Sequence, residues 1–534
     1  MKLIYDVNDK PKFSKLLVFA FQQVLAIMAA TIAVPTIIGL PTQIPAAIFG
    51  AGVGTIVYLL FTRFKSPVFL GSSFAFLSSL GCAMAYGYCG IIVGSILAGL
   101  VYVVIAIVIK FAGSHWVSKL MPPVIIGPTV ALIGLSLAGN AVGDLIKASG
   151  FYSIEYAKFL ADKTYVISTD STYNLIALLC GFVAFITIVI CSVQNKFKGL
   201  KLIPFIIGIG AGYAVASFFS IFGYCFDVPY LKIVDWSPLV SNFAPLGQAS
   251  ASVGDKVQAF FTYPDFALIE AIKELVNHES SISGAAMLSG AGVAECALAF
   301  IPVAFVVFAE HIADHKNLGS IINRDLVENE PGLTRTLLGD GVGSIFGTIL
   351  GICPNTTYGE SVGCVAITKN ASVRTIFVAA VLCIIISFFS PVMALLRTIP
   401  SCVMGGVCFT LYGFIAVSGL KMFKDIDLGD NENLFTVSAI LIAGIGGLSI
   451  NIPYALENGA VSKTVSITAI ATALIFGIVT NVIIKAIKKR AQKNGEVDEE
   501  GVDEVNSLMS APVEADSTYE VGSAKKEESD EEMK

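Results

Sequence analysis

The chain has 534 residues, of which 55% are hydrophobic and only 14% charged, with a formal net charge of −6. Soluble proteins carry roughly a quarter charged residues, so this composition excludes an ordinary soluble domain and indicates a polytopic membrane protein. It equally excludes a nucleic-acid-binding role, which needs a soluble basic surface.

In chain order, residues 1–15 (MKLIYDVNDKPKFSK) are polar and basic. They lack the apolar core and small-residue cleavage site of a secretory leader and are expected to be a cytoplasmic N-terminus. A span needs about 20 mostly apolar residues. On that basis spans 1–14 fall near 16–34, 44–62, 67–86, 88–110, 122–142, 173–193, 202–222, 286–309, 334–352, 355–369, 375–396, 402–420, 434–452 and 464–484. Blocks 16–142 (spans 1–5), 173–222 (spans 6 and 7), 286–396 (spans 8–11) and 397–486 (spans 12–14) are then separated by outer loops 143–172 and 223–285. The second loop is longer than a link between two spans needs. An acidic tail, 487–534, is expected to be disordered. With both termini inside, 26 of the 34 Lys and Arg lie on the cytoplasmic side, as the positive-inside rule requires of a plasma-membrane protein. An odd count would scramble that alternation. The eleven cysteines lie almost all within apolar runs and read as small buried side chains, with neither a disulfide framework nor a zinc spacing.

Two segments resemble each other across the chain: PPVIIGPTVALIGLSLAG (122–139) and PSCVMGGVCFTLYGFIAVSG (400–419). Two more interrupt their apolar surroundings with a proline and small polar residues, SPVFLGSSFAF (66–76) and PNTTYGESVGC (354–364). These observations predict an all-α polytopic fold of two inverted seven-span repeats, with short extended segments in spans 3 and 10. Corresponding interrupted spans in inverted halves point to a transporter binding site. Unpaired backbone cannot face lipid, so it must be buried in protein or line a cavity. Each half-helix that follows offers free N–H donors to a ligand. The alternative is a pair of loops at the membrane surface.

Acids within spans are costly and mark function. Glu310 closes the apolar run of span 8, and Asp314 shares its helical face at i, i+4, while His311 points elsewhere. Glu360 sits where span 10 turns from extended to helical. Glu295 falls near the outer end of span 8. Structural hydrogen bonding is the competing role for Glu310 and Glu360. His311 and His315 have a zinc-compatible spacing, but HIADH lacks the glutamate of HExxH, and both are expected at the cytoplasmic end of span 8. No catalytic group, metal site or cofactor is expected. Carboxylates and free N–H donors beside Phe74 and Tyr358 suit a flat neutral solute with alternating N–H and C=O groups. A carboxylate held partly out of water there can exchange protons near neutral pH.

GSSFAF (71–76), AEH (309–311), PNTTYGE (354–360) and Glu360-Ser361-Val362-Gly363-CVAI-Thr368-Lys369 resemble the nucleobase–ascorbate transporter family (nucleobase:cation symporter-2), and within it the bacterial uracil permeases. The resemblance covers nearly all of residues 10–485. It implies a core domain (spans 1–4 and 8–11) moving against a gate domain (5–7 and 12–14), often in a homodimer. It also implies that Glu310 and Glu360 hydrogen-bond the base and that the N–H groups of Phe74 and Gly359 meet its carbonyls. Ala30, Ser73 and Tyr358 would line the site. Proton coupling would fall to Glu310, Asp314 and Glu360. The chain departs from the pattern at Ser361 (asparagine in the signature), at Gln22-Gln23 (Gln-His in many members) and at Asp314 (histidine in some uracil permeases).

The leading expectation is therefore a proton-coupled uracil importer by alternating access. Uracil is neutral, so its accumulation needs an ion gradient, with H⁺ expected and Na⁺ open. A xanthine or urate permease of the same family is the nearest rival. An anion exchanger of the sulfate-transporter type is disfavoured by the paired acids and by a tail too short for that family's soluble domain. An intramembrane enzyme or a sensor is a rival of another class, and no nucleophile–base pair supports the enzyme.

Overall fold

A computed structural model describes residues 3–146, 174–194, 200, 203–248, 250–457 and 460–494. The tail beyond 494 and residues 147–172 of the first outer loop lie outside the described residues. By packing, the chain divides at Asn481/Val482, inside the last helix. Of the portion from Val482, the described part is helix up to Asn494, so the helix runs eight residues into the expected disordered tail.

Among the described residues, nine helices are long and apolar enough to cross a bilayer: Phe13–Ile37, Pro41–Phe61, Gly87–Ala112, Pro123–Ile146, Leu175–Val193, Pro204–Cys225, Gly290–Ile322, Ser401–Lys424 and Ala469–Arg490. Five other segments complete the fourteen. Span 3 is strand β1 (Leu70–Ser72), a 3-10 turn (Phe74–Phe76) and helix Leu77–Met84. Span 9 is Gly332–Ile349, span 11 Val373–Ser387 and span 13 Asn431–Ile445. Span 10 is strand β2 (Asn355–Thr357) followed by helix Gly359–Thr368. The mostly helical, two-repeat membrane fold is the expected one.

Local chemistry sets several ends. Asn174 caps span 6 by accepting from Ile176 and Ala177 N–H, and Ser289 caps span 8 from Gly292. Proline opens spans 5 and 7 at the first helical position, where a missing N–H costs nothing. Span 9 is rich in glycine because it is enclosed between spans 2 and 4. A Cβ on Gly54 would stand 2.8 Å from the Gly343 carbonyl oxygen, so the backbones meet directly.

The helices pack in two sets. Spans 1, 2, 4, 9 and 11 contact one another, with span 8 on span 4. Spans 5, 6, 7, 12 and 13 form the second set, centred on span 12. The sets meet where span 1 touches spans 7 and 12 and where span 8 touches span 5. The N-terminal segment is pinned to the first set. Ala371 and Val373 donate N–H bonds to the Tyr5 and Val7 carbonyls at 2.9 and 3.1 Å, and Arg324 pairs with Asp6 at 2.6 Å.

Two expectations need correction. Span 13 ends at Ile445 rather than 452, and span 14 begins at Ala469 rather than 464. Between them lies an antiparallel hairpin, β3 (Ile450–Glu457) with β4 (Ala460–Ile467). The alternation in AVSKTVSI is a period-two signal that overall hydropathy conceals. Span 8 runs on to Ile322, so His311 and His315, expected at its cytoplasmic end, lie within it and are fully buried.

The described residues of loop 223–285 form helices and turns. Its helix Ala267–Asn277 carries Glu274, buried at the start of span 4. That carboxylate accepts from the Tyr88 and Cys89 N–H groups at 3.2 Å each, and from Ser280 Oγ and Ser281 N at 2.9 and 3.0 Å. A negative charge thereby satisfies orphan donors at a helix N-terminus. Phe266 packs on Phe49, which also meets Phe388. Replacing Glu274 with Ala leaves those donors unpaired; the expected loss is about 1–3 kcal/mol of stability, read as a lower thermal midpoint of the purified protein.

Candidate functional site

Strands β1 and β2 pair antiparallel, with Leu70 opposite Thr357, Gly71 opposite Thr356 and Ser72 opposite Asn355. The pairing continues beyond the strands: Ser73 N donates to Pro354 O at 2.9 Å and Tyr358 N to Phe69 O at 3.2 Å. Each interrupted span thus supplies the hydrogen bonds the other lacks. Side chains complete the satisfaction of the backbone. Leu70 N donates to Thr55 Oγ1 at 2.9 Å, and Asn355 donates from Nδ2 to Gly50 O at 3.0 Å while its own N–H reaches Ser344 Oγ. Tyr358 folds over Gly71 and donates its hydroxyl to Ser72 O at 2.8 Å. A Cβ at Gly71 would collide with that ring, so glycine is required at this point.

The two half-helices leave the crossing in sequence order from Phe74 and from Gly359, and their first N–H groups have no intrahelical acceptor. Beside them lies a cavity of about 510 Å³. Ser73, Phe74, Tyr358, Gly359, Glu360, Glu310 and Asp314 all line it. Ala30 does not: it is fully buried within span 1, and Ala26, one turn earlier, borders the cavity instead. The Ser73 and Thr356 hydroxyls, both at the wall, have no hydrogen-bond partner among the described residues. Asp314 is held by the Thr357 hydroxyl at 2.7 Å. Glu310 and Asp314 present one helical face to the cavity, as their spacing predicts. Among the described residues no group of His, Cys, Asp and Glu could hold a metal ion.

The opposite wall was not read from the sequence. Val130 of span 5, Phe414, Ser418 and Lys421 of span 12, and Phe205 of span 7 supply it. The likeness between 122–139 and 400–419 does not say that Val130, Phe414 or Ser418 faces a cavity, so only packing reveals them. The cavity extends to Lys421, Ser192 and Pro204, at the ends where spans 12, 6 and 7 approach the side that bears the N-terminal segment. At its other end Phe74 meets Tyr412 edge-on, with ring centroids 5.2 Å apart. Phe74 also lines a second cavity beyond, with Ile37, Leu135 and Ile445.

Two departures from the family pattern meet in space. The Gln23 amide donates to the Ser361 hydroxyl, which also accepts Phe69 N–H at 3.2 Å. Both side chains are buried. In a double-mutant cycle of Gln23→Ala and Ser361→Ala, a coupling of about 0.5–3 kcal/mol is expected; additive thermal midpoints would show that the contact carries nothing.

The model of the permease family matches residues 14–224 and 282–452. The uracil permease of Bacillus caldolyticus is 34% identical over 471 residues, covering 87% of this chain and 94% of that protein. The uracil permease of Escherichia coli (strain K12) is 30% identical over 465 residues, covering 86% and 91%. Among solved structures, the murine Solute Carrier 26 family member A9 anion transporter in the inward-facing state aligns with a TM-score of 0.55 at 10% identity. That alignment covers 90% of this chain and 69% of the transporter, and shows a shared fold. A crossing of two broken spans, the motifs that build it and relatives matched over nearly their whole length together place the chain in the permease family of nucleobase:cation symporter-2 transporters, as a multi-pass membrane protein.

Proposed function

We propose that the protein imports uracil across the cell membrane by proton symport. The carrying observation is the cavity beside the β1–β2 crossing, which brings Glu310, Asp314 and Glu360 together with the free N–H groups that begin two half-helices. A pyrimidine dione offers N–H donors to carboxylates and carbonyl acceptors to backbone N–H groups. The partnerless Ser73 and Thr356 hydroxyls add polar contacts that such a solute can use. The names of the relatives support uracil rather than a purine.

The two helix sets support a reading of alternating access. The first set carries the crossing and the acids and would serve as core; the second carries Val130, Phe414 and Phe205 and would serve as gate. With the N-terminus and spans oriented by the positive-inside rule, the cavity opens to the cytoplasm and Phe74 with Tyr412 closes it outward. A proton on Glu310 taken up outside completes the site, and its loss inside weakens binding and releases substrate. The anion transporter's likeness bears on fold alone, and three acids facing one cavity oppose an anionic substrate.

The test is uptake of labelled uracil into proteoliposomes under an inward pH gradient, with and without a protonophore. Accumulation that the protonophore abolishes is expected; no uracil uptake, with uptake of xanthine, would move the reading to a purine. Glu310→Gln should lose gradient-driven accumulation. Glu360→Ala should weaken uracil binding roughly ten- to hundredfold, the worth of one hydrogen bond to a charged group, as measured by equilibrium binding.

A further inference from the structure

Residues 225–281 fall between the two stretches that the permease family's model matches, so the family's pattern does not account for them. Within them, helix Ala267–Asn277 is divided along its length into three sectors. At about 100° per residue, Ala267, Ala271 and Glu274 share one sector, and all three are buried. Leu268, Ile269, Ile272, Leu275 and Val276 fill a second, and all five are exposed, from 40% at Leu268 to 71% at Val276. Glu270, Lys273 and Asn277 make the third, where Lys273 Nζ lies 2.6 Å from Glu270 Oε1. No polar residue interrupts the apolar sector, and no apolar residue interrupts the polar one. A surface helix ordinarily turns its apolar stripe onto the protein. Here two alanines and a carboxylate face the protein, and the apolar stripe faces away from it.

The buried sector is fastened to the outer ends of two spans. Ala267 N donates to the Gly351 carbonyl, just past span 9, at 3.2 Å, and the Cys89 thiol of span 4 lies 3.6 Å from the Ala271 carbonyl. Glu274 accepts the first N–H groups of span 4, and Phe266, the residue before the helix, packs on Phe49 of span 2. The helix therefore lies at the level where spans 4 and 9 end, which the positive-inside rule puts at the outer face of the membrane. Phe346, one turn before the end of span 9, is exposed as well, so bare apolar surface at this level is not confined to the helix.

We propose that helix Ala267–Asn277 is seated in the outer leaflet, with its apolar stripe among the acyl chains and Glu270, Lys273 and Asn277 at the headgroups. The partner of the stripe is thus a lipid surface. A membrane boundary is apolar on one side and aqueous on the other, and an apolar sector bordered by charge along one edge matches that division. A protein partner is met by an apolar centre with a polar rim around it. The polar groups of this helix stand on one side only. Because the helix is fastened to spans 2, 4 and 9, its seat holds the outer edge of the first helix set at the membrane boundary. Neither the substrate nor the coupling ion enters this reading.

The full chain in phosphatidylcholine vesicles, as Ile272→Trp and as Lys273→Trp, compares adjacent positions in different sectors. Both positions are exposed, so neither change disturbs packing. Emission from the native Trp116 and Trp236 is subtracted with wild type. Lipid brominated high on its acyl chains should cut the added emission of Ile272→Trp by about half or more and leave that of Lys273→Trp nearly unchanged. Iodide on both sides of the membrane should do the reverse. Iodide quenching of Ile272→Trp as strong as that of Lys273→Trp would put the stripe in water and overturn the proposal. Emission from Ile272→Trp that neither agent reduces would mean that protein, such as a second copy of the chain, covers the stripe, and overturns it too.

Discussion

Backbone amides in the middle of a membrane have no water to bond with, and the structure is arranged around meeting that demand at one place. β1 and β2 each carry three residues of extended chain at depth, and each is acceptable only because the other is there. The demand propagates outward. Thr55 satisfies the β1 edge, Asn355 is gripped by Gly50 O and Ser344, and spans 2 and 9 must approach closely enough for both contacts to form. Glycines along span 9 follow from that approach rather than from any preference of a helix. The half-helix N-termini that flank the cavity are the part of the demand that the crossing itself does not meet.

The same crossing explains why the departures from the family pattern do not disrupt it. Ser361 accepts from Phe69 N–H and from Gln23, so the shorter side chain remains fully engaged. Asp314, in place of a histidine, is anchored by the Thr357 hydroxyl of β2. Along span 8 the carboxylates face the cavity, and the two histidines face spans 9 and 2, where Asp340 and Tyr58 receive them. The outer loop contributes in the same currency, since Glu274 supplies acceptors to the start of span 4.

Much of this was legible along the chain because the governing signals are local. Uniformly apolar runs of the right length mark spans, and a proline followed by Gly-Ser-Ser or Asn-Thr-Thr-Tyr-Gly marks the breaks. Glu310 and Asp314 share a face by the helix period alone. Other features were hidden because hydropathy blurs them. The β3–β4 hairpin reads as an extension of two apolar spans unless its period-two alternation is weighed. Span 8 outlasts its apolar run by three turns because His311 is buried against span 9 and His315 against span 2; hydropathy alone put both at the cytoplasmic end of the span. Ala30 and Ala26 lie on one helix turn, and only packing decides which of them borders the cavity.

Composition, period and motif by themselves determined that this protein spans a membrane many times as two related halves and that two of its spans are broken, with acids near the breaks. Those properties depend on the chain's own covalent order and on the solvent it must satisfy. Tertiary structure alone decided which residues of spans 5, 7 and 12 form the facing wall, that Gln23 meets Ser361, and that Asp340 stands against His311. The reason is physical: each is a contact between segments tens to hundreds of residues apart, fixed by how helices pack and not by any pattern within one of them.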